Sequence, residues 1–150
     1  MGAHDYVEEA LADEGVEILF RKVAIRPGKP AVFGRKGGCR VFGLPGNPVS
    51  SLVIFEVLAA PVLRKMAGDP APHGRLLEAA LAETVRQHPD RTGYLPGKVT
   101  HAGGEARVRP IPSRGSADLL AHSRADGLFI LPAGREVYEA GTRVQVLLLE

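Results

Sequence analysis

Nine residues constrain the fold more than any others: Gly43-Leu44-Pro45-Gly46-Asn47-Pro48-Val49-Ser50-Ser51. Residues 40–44 lead into them as a short apolar strand, and residues 48–66 follow as a long, mostly apolar helix. Asn47 is a favoured N-cap type, and Pro48 suits the first helical position because its missing N–H would have lacked a partner anyway. Gly43 and Gly46 permit a sharp bend and a close approach of backbone to whatever lies above the turn. A strand, a glycine turn and a bare helix start present free N–H groups and a positive dipole end, which together suit an anion. Ser50 and Ser51, in the first helical turn, add hydroxyl donors. On these residues alone a capped, buried helix with no ligand is also an adequate reading, and the commoner case.

The residues upstream supply the rest of an α/β lobe. Asp5 and Glu8 have capping-box spacing, Val7, Ala10 and Leu11 follow at helical spacing, and Gly15 suits a C-terminal cap. Val16, Ile18 and Phe20 then alternate, which predicts one strand over residues 16–25. Pro27-Gly28 signals a turn, residues 31–33 a short strand, and Gly37-Gly38 a return into the strand that delivers the opening motif. Pro61 lies inside the following helix, so a kink or break is expected just before it. With only about three strands and two helices, this is less sheet than a doubly wound domain carries. Either the lobe buries itself against another chain, or the sequence is a piece of a longer protein.

Residues 68–74, Gly-Asp-Pro-Ala-Pro-His-Gly, form the best linker and set the expected division: a lobe over residues 1–69, a linker over 70–74 and a β domain over 75–150. Beyond the linker, short apolar segments at residues 95–99, 106–111, 128–131 and 142–149 are separated by Gly and Pro. Val144, Val146 and Leu148 alternate as a half-buried strand does. Gly103-Gly104 reads as a hairpin turn, and residues 134–141 as a longer one. Residues 116–123 are the one short helix expected, with Ser113 or Ser116 as its cap and a second anion site at its start. Residues 76–85 stay open, because propensity says helix and position in a β domain says strand.

Composition excludes more than it identifies. A net charge of +2 over 150 residues, with 5% aromatics, supplies neither the basic surface nor the stacking platform of a nucleic-acid binder. No apolar run reaches the roughly 18 uncharged residues of a membrane span. The lone Cys39 cannot form an internal disulfide, no secretory h-region follows Met1, and Tyr6 stands where a myristoylation signal needs Ser or Thr. A soluble, cytoplasmic protein is the expectation. His4, His73, His88, His101 and His122 have no metal-ligand spacing, and neither a phosphate-binding loop, a nucleophile elbow nor a dinucleotide fingerprint is present. The remaining chemistry is cationic. Arg26-Pro27-Gly28-Lys29-Pro30 sets two cations on a rigid turn, which is either an oxyanion grip or a solvated tip. Arg91 sits in a polar loop and reads more readily as surface.

Two motifs in this order carry a resemblance: Val23-Ala24-Ile25-Arg26-Pro27-Gly28-Lys29-Pro30, and Phe42-Gly43-Leu44-Pro45-Gly46-Asn47-Pro48-Val49-Ser50. The chain resembles the molybdopterin molybdenumtransferase family, the bacterial MoeA type related to the plant and gephyrin E domains. The likeness continues through Arg114-Gly115-Ser116-Ala117-Asp118-Leu119 to the C-terminus, but covers only the last part of the family's length. It implies a partial doubly wound, MoaB/MogA-like α/β lobe followed by a small β-barrel-like domain. It also implies insertion of molybdate into adenylylated molybdopterin, with Mg²⁺ as the cation and a homodimer as the full-length assembly. Carried over by motif, the molybdate-site candidates are Lys29, Pro30, Ser50, Arg91 and Ser116. Arg26, Gly28, Gly46 and Asn47 support the motifs, and Asp5 is the catalytic and metal-binding candidate. Such an ion would lie in the cleft between the lobe and the β domain. The sequence departs from the family's pattern at Pro96, where a second Arg is usual. The family's Gly-Gly-x-Ser loop is expected before Gly2, so turnover by this chain alone is not expected. A non-catalytic scaffold module derived from the family, or joined to a missing N-terminal half, is the alternative.

Overall fold

The computed structural model describes residues 6–113, 115 and 117–149. The first helix, α1 (Val7–Asp13), ends where Gly15 takes a positive φ of 70°. Asp5, proposed above to start it, lies outside the described residues. Three strands then form an antiparallel sheet in the order β1 (Glu17–Phe20), β3 (Val32–Lys36) and β4 (Cys39–Gly43). The expected strand over residues 16–25 is broken: β1 stops at Phe20, and the chain resumes as β2 (Ile25–Arg26) in a different sheet. Its alternation ends at Arg21-Lys22, where two consecutive exposed charges remove the apolar partner a continued strand would need. Phe20, Phe33 and Phe42 pack in a row across the sheet as tilted rings, with centroids 5.5 and 4.8 Å apart.

Helix α2 (Pro48–Ile54) starts at the predicted place, with Asn47 extended (ψ 124°) as its N-cap. It runs through a π segment (Phe55–Ala59) into α3 (Ala60–Met66). The wider turn falls directly before Pro61, whose ring crowds the carbonyl four residues back and whose nitrogen cannot donate. Val49, Val53, Ile54, Ala59 and Ala60 are buried, whereas Phe55 and Leu63 remain 40% and 51% exposed, so one flank of this apolar helix is uncovered. Gly68, at φ 86°, ends it.

The second half is a closed five-stranded barrel. Its strands are β5 (Leu76–Leu81), β7 (Thr92–Ala102), β8 (Glu105–Pro110), β9 (Gly127–Leu131) and β11 (Arg143–Leu148). They follow the ring β7-β8-β5-β11-β9, closed by a β7–β9 pairing that sets Gly93 opposite Leu131 and Gly97 opposite Gly127. Closure leaves no free edge within the ring. Phe129, Leu131, Val108, Val146, Leu81 and Ala79, all at most 2% exposed, fill the interior. Gly97 is required there, since a Cβ would come within 2.5 Å of Val108 Cγ2 and 2.9 Å of Phe129 Cδ1. The open question at residues 76–85 resolves as strand. Ala79 and Ala80 are buried because small residues fit where β5 meets both β8 and β11. Pairing overrides helix propensity.

Two elements depart from expectation. Residues 134–141 are not a simple turn: β10 (Val137–Tyr138) lies within them and pairs antiparallel with β6 (Val85–Arg86) as a separate ribbon. The short helix α4 (Leu119–Ser123) is capped by Asp118, whose carboxylate accepts from Ala121 N at 3.1 Å. Ser113 instead closes a local turn, its hydroxyl donating to Gly115 O at 3.2 Å, and Ser116 lies outside the described residues. The edge strand β2 comes from the first half yet pairs in parallel with the start of β7, Ile25 opposite Thr92 and Arg26 opposite Gly93. That pairing seats the Arg26–Pro30 turn against the barrel.

Candidate functional site

Where the lobe meets the barrel, a cleft of about 950 Å³ opens between them. One wall is the Arg26-Pro27-Gly28-Lys29-Pro30 turn together with Val49 and Ser50 of α2. Gly28 holds this wall together. It has a φ of 118°, and a Cβ there would approach Ile54 Cδ1 and Cγ1 to 2.7 Å. Only glycine lets the turn rest directly on α2, which brings Lys29 and Pro30 beside the start of that helix. Ser50 is 6% exposed, and no side-chain hydrogen bond of it is found among the described residues. The first helical bond is Ser51 N to Asn47 O at 2.9 Å, so the N–H groups of Val49 and Ser50 precede the ladder. Gly46 plays no comparable part. Its φ is not positive and a Cβ there would meet nothing within 4 Å. Gly43 is needed for close approach rather than for bending: its Cβ would lie 3.0 Å from Val32 Cβ and 3.2 Å from Val7 Cγ1.

The opposite wall belongs to the barrel and its ribbon. Arg91 lines the cleft with its side chain 25% exposed, so it is not a fully solvated surface residue. Its Nε donates to Asp90 Oδ2 at 2.8 Å, which restrains the guanidinium and leaves its other N–H groups as further donors. Partial desolvation pushes the Asp90 carboxyl up, but the Arg91 hydrogen bond and charge, with His88 adding to them, hold it below the usual range. The strand residue Tyr94 is half-buried on the same wall, and burial raises its phenol above the ordinary value. Pro96 is buried within β7 opposite Leu128, its carbonyl accepting from Ile111 N at 2.9 Å.

The structure therefore brings Lys29, Pro30, Ser50 and Arg91 to one cleft, with Arg26 and Gly28 among its lining. Asn47 caps α2 just behind it, and Gly46 lies outside the lining. Asp5 and Ser116 fall outside the described residues. Residues that sequence reasoning missed also line the cleft: Arg86, Gln87, His88 and Glu136 on the ribbon, and His122 on α4. For His122 a signal existed, a single polar ring in the apolar run Leu119-Leu120-Ala121. For the ribbon there was none, because β6 and β10 are two residues each. Among the described lining residues four cations (Arg26, Lys29, Arg86 and Arg91) face one carboxylate, Glu136, which is held 3.7 Å from Arg86. Such a cleft attracts anions. No group of three or more His, Cys, Asp or Glu that could hold a metal ion gathers among the described residues.

Residues 1–65 match the probable molybdopterin binding domain, and residues 78–149 match the MoeA C-terminal region, domain IV. The chain matches the C-terminal part of the molybdopterin molybdenumtransferase family. It is 30% identical to the molybdopterin molybdenumtransferase of Bacillus subtilis over 99% of its own length but 35% of the relative's. The Staphylococcus aureus enzyme gives 30% over 100% and 36%. The chain thus spans about a third of the length of these relatives. Among solved structures, a molybdopterin biosynthesis MoeA protein from Pyrococcus horikosii superposes with a TM-score of 0.74 at 32% identity. That match covers 95% of this chain and 34% of the other. A molybdenum cofactor biosynthesis protein from Pyrococcus furiosus gives 0.72 at 25%, over 97% and 55%. The α/β lobe followed by a barrel is the arrangement this family match implies.

Proposed function

We propose that this chain is the part of a molybdenum-inserting transferase that receives molybdate, and that the cleft between lobe and barrel is its oxyanion site. The observation that supports this most is the meeting of Lys29, Ser50 and Arg91, from three separate elements, around one cationic cleft. Molybdate is a tetrahedral dianion and needs donors on several sides to replace its water. Lys29 supplies a point charge, Ser50 a hydroxyl, and the Val49 and Ser50 amides the dipole end of the helix. Arg91 closes the far side, pre-oriented by Asp90. Pro30 fixes the turn that carries Lys29. Ser116, by resemblance, adds a hydroxyl.

The function proposed is insertion of molybdate into adenylylated molybdopterin, within molybdenum cofactor biosynthesis. The division into residues 1–69, 70–74 and 75–150 belongs to the same reading, with β2 as the strand that ties the first part to the last. Turnover needs the remainder of the relatives' length, and the exposed Phe55 and Leu63 flank supports completion of the lobe by further polypeptide, with a homodimer as the full assembly. Mg²⁺, implied by the resemblance, would have to be held by Asp5, by residues beyond this chain, or by the substrate's own phosphates. No nucleic acid or membrane surface enters this reading, and a cytoplasmic site of action accords with it.

Titration of the chain with molybdate or tungstate, followed calorimetrically, tests the site. Each charge-assisted hydrogen bond contributes about 1.5–3 kcal/mol, so Lys29→Ala and Ser50→Ala should each weaken binding at least tenfold. Unchanged affinity in both variants would overturn the assignment. Absence of any binding by the unaltered chain, together with capture of a protein partner on the lobe, would favour the scaffold reading.

A further inference from the structure

The cleft contains one buried ring that the family-derived site does not use. His122 is 4% exposed, lines the cleft and sits on α4, which packs against α2. Its Nδ1 lies 3.1 Å from Asp118 O. A carbonyl only accepts, so Nδ1 carries the hydrogen and the neutral ring keeps its lone pair on Nε2. Nε2 is buried and has no hydrogen-bond partner among the described residues. An unsatisfied buried nitrogen is costly, and a sealed apolar role would suit Leu or Met better. The same cleft is lined by four cationic donors, Lys29, Arg26, Arg86 and Arg91, against one carboxylate, Glu136.

We propose that His122 is an oxyanion-binding residue of this cleft, and that each bound tetrahedral dianion brings one proton to the His122–anion contact. The inference rests on the oxyanion reading above. A fully deprotonated oxyanion has only lone pairs, and so does Nε2, so the two repel unless a proton lies between them. That proton comes from solvent. It sits either on Nε2, which then donates to an anion oxygen, or on the anion, which then donates to Nε2. Both descriptions contain the same atoms and the same charge, one proton more than neutral His122 plus the free dianion. The ring thereby gains the partner that it otherwise lacks.

Among the described residues, the other titratable groups that line the cleft or adjoin the ring are few. On α4 and its cap there is Asp118, already engaged as the cap, and α2 contributes only Val49 and Ser50, neither of them an ionisable side chain, to the lining. From β2 and the turn after it come Arg26 and Lys29, and from β7 and the loop before it Arg91 and Tyr94. The ribbon adds Arg86, Glu136 and His88. Of these His88 is the other imidazole; its Nδ1 lies 3.0 Å from Asp90 Oδ1 and its side chain is 65% exposed.

The test is calorimetric titration of the whole chain with tungstate, at a pH where free tungstate is fully deprotonated, in two buffers of different ionisation enthalpy. Uptake of close to one proton per tungstate is expected in the unaltered chain and in His88→Gln. His122→Gln and His122→Met should bind at least tenfold more weakly, with uptake reduced to near zero. A readout without any variant is the ¹⁵N resonance of His122 Nε2, which should move on tungstate addition while that of Nδ1 moves little. Tungstate binding with no proton uptake, or uptake abolished by His88→Gln and kept in both His122 variants, overturns the inference while leaving the oxyanion cleft intact. No tungstate binding at all overturns the cleft reading and this inference with it.

Discussion

Replacing Gly28 with alanine should damage the protein more than any other glycine substitution in the two motifs. The methyl group would meet Ile54 Cδ1 and Cγ1 at 2.7 Å, so the buried Ile54 side chain, 1% exposed, or the turn itself would have to shift. The backbone at φ 118° is also poorly suited to an L side chain. Strain at such a position costs about 1–3 kcal/mol, and an extra methyl forced into a packed site costs about 1–3 kcal/mol more. The expected loss is therefore roughly 2–6 kcal/mol, or a fall in Tm of about 5–20 °C for a chain of this size. Urea unfolding followed by far-ultraviolet circular dichroism gives the value, with Gly46→Ala as the paired control. That control adds its methyl to open space at ordinary φ and should stay within about 0.5 kcal/mol of the parent. A Gly28→Ala loss no larger than that of Gly46→Ala would refute the claim that the turn rests on α2 through Gly28.

The ribbon and the barrel offer two further predictions. Gln87 Nε2 donates to Pro132 O at 2.9 Å and Leu131 O at 3.2 Å, pinning β6 to the end of β9, so Gln87→Ala should cost about 1–3 kcal/mol by leaving those carbonyls short of a donor. The check is the urea midpoint together with loss of protection at the ribbon amides in hydrogen exchange. Asp126 is held below the ordinary 3.8 chiefly by the hydrogen bond from Lys98 at 2.6 Å, then by Val99 N at 2.8 Å, against a smaller desolvation effect. A depressed carboxyl stabilises fully above its unfolded value and loses that contribution as pH falls through the folded one. Asp126→Asn should therefore be less stable than the parent at pH 6, with the gap closing below pH 3.8, when urea midpoints are compared across that range.

Local chemistry announced some elements and tertiary pairing decided others. The start of α2 at Pro48 and the disturbance before Pro61 were legible because proline acts on its own few neighbours. The alternation of Val144 and Val146 correctly marked β11, since a half-buried strand writes its period directly into the sequence. Ala79 and Ala80 were illegible, because their strand identity comes from β8 and β11, far away in the chain. The β6–β10 ribbon was invisible for the same reason, and with it the Arg86, Gln87 and Glu136 side of the cleft. The cap of α4 was misjudged because Ser113, Ser116 and Asp118 all carry suitable oxygens, and only the helix's actual start at Leu119 selects Asp118. For the cleft itself, spacing suggested an anion at α2 but could not say that Arg91 would face it. The two paired motifs brought those residues together as candidates through resemblance. The pairing of β2 with β7 supplies the physical means, since it draws the Lys29 turn onto the barrel.

The most direct measurement is a crystal of this chain soaked in tungstate, with data collected at the tungsten absorption edge. An anomalous peak within hydrogen-bonding reach of Lys29 Nζ, Ser50 Oγ and the Arg91 guanidinium is the predicted result. A peak confined to other surfaces, with none in the cleft at saturating tungstate, would contradict the account.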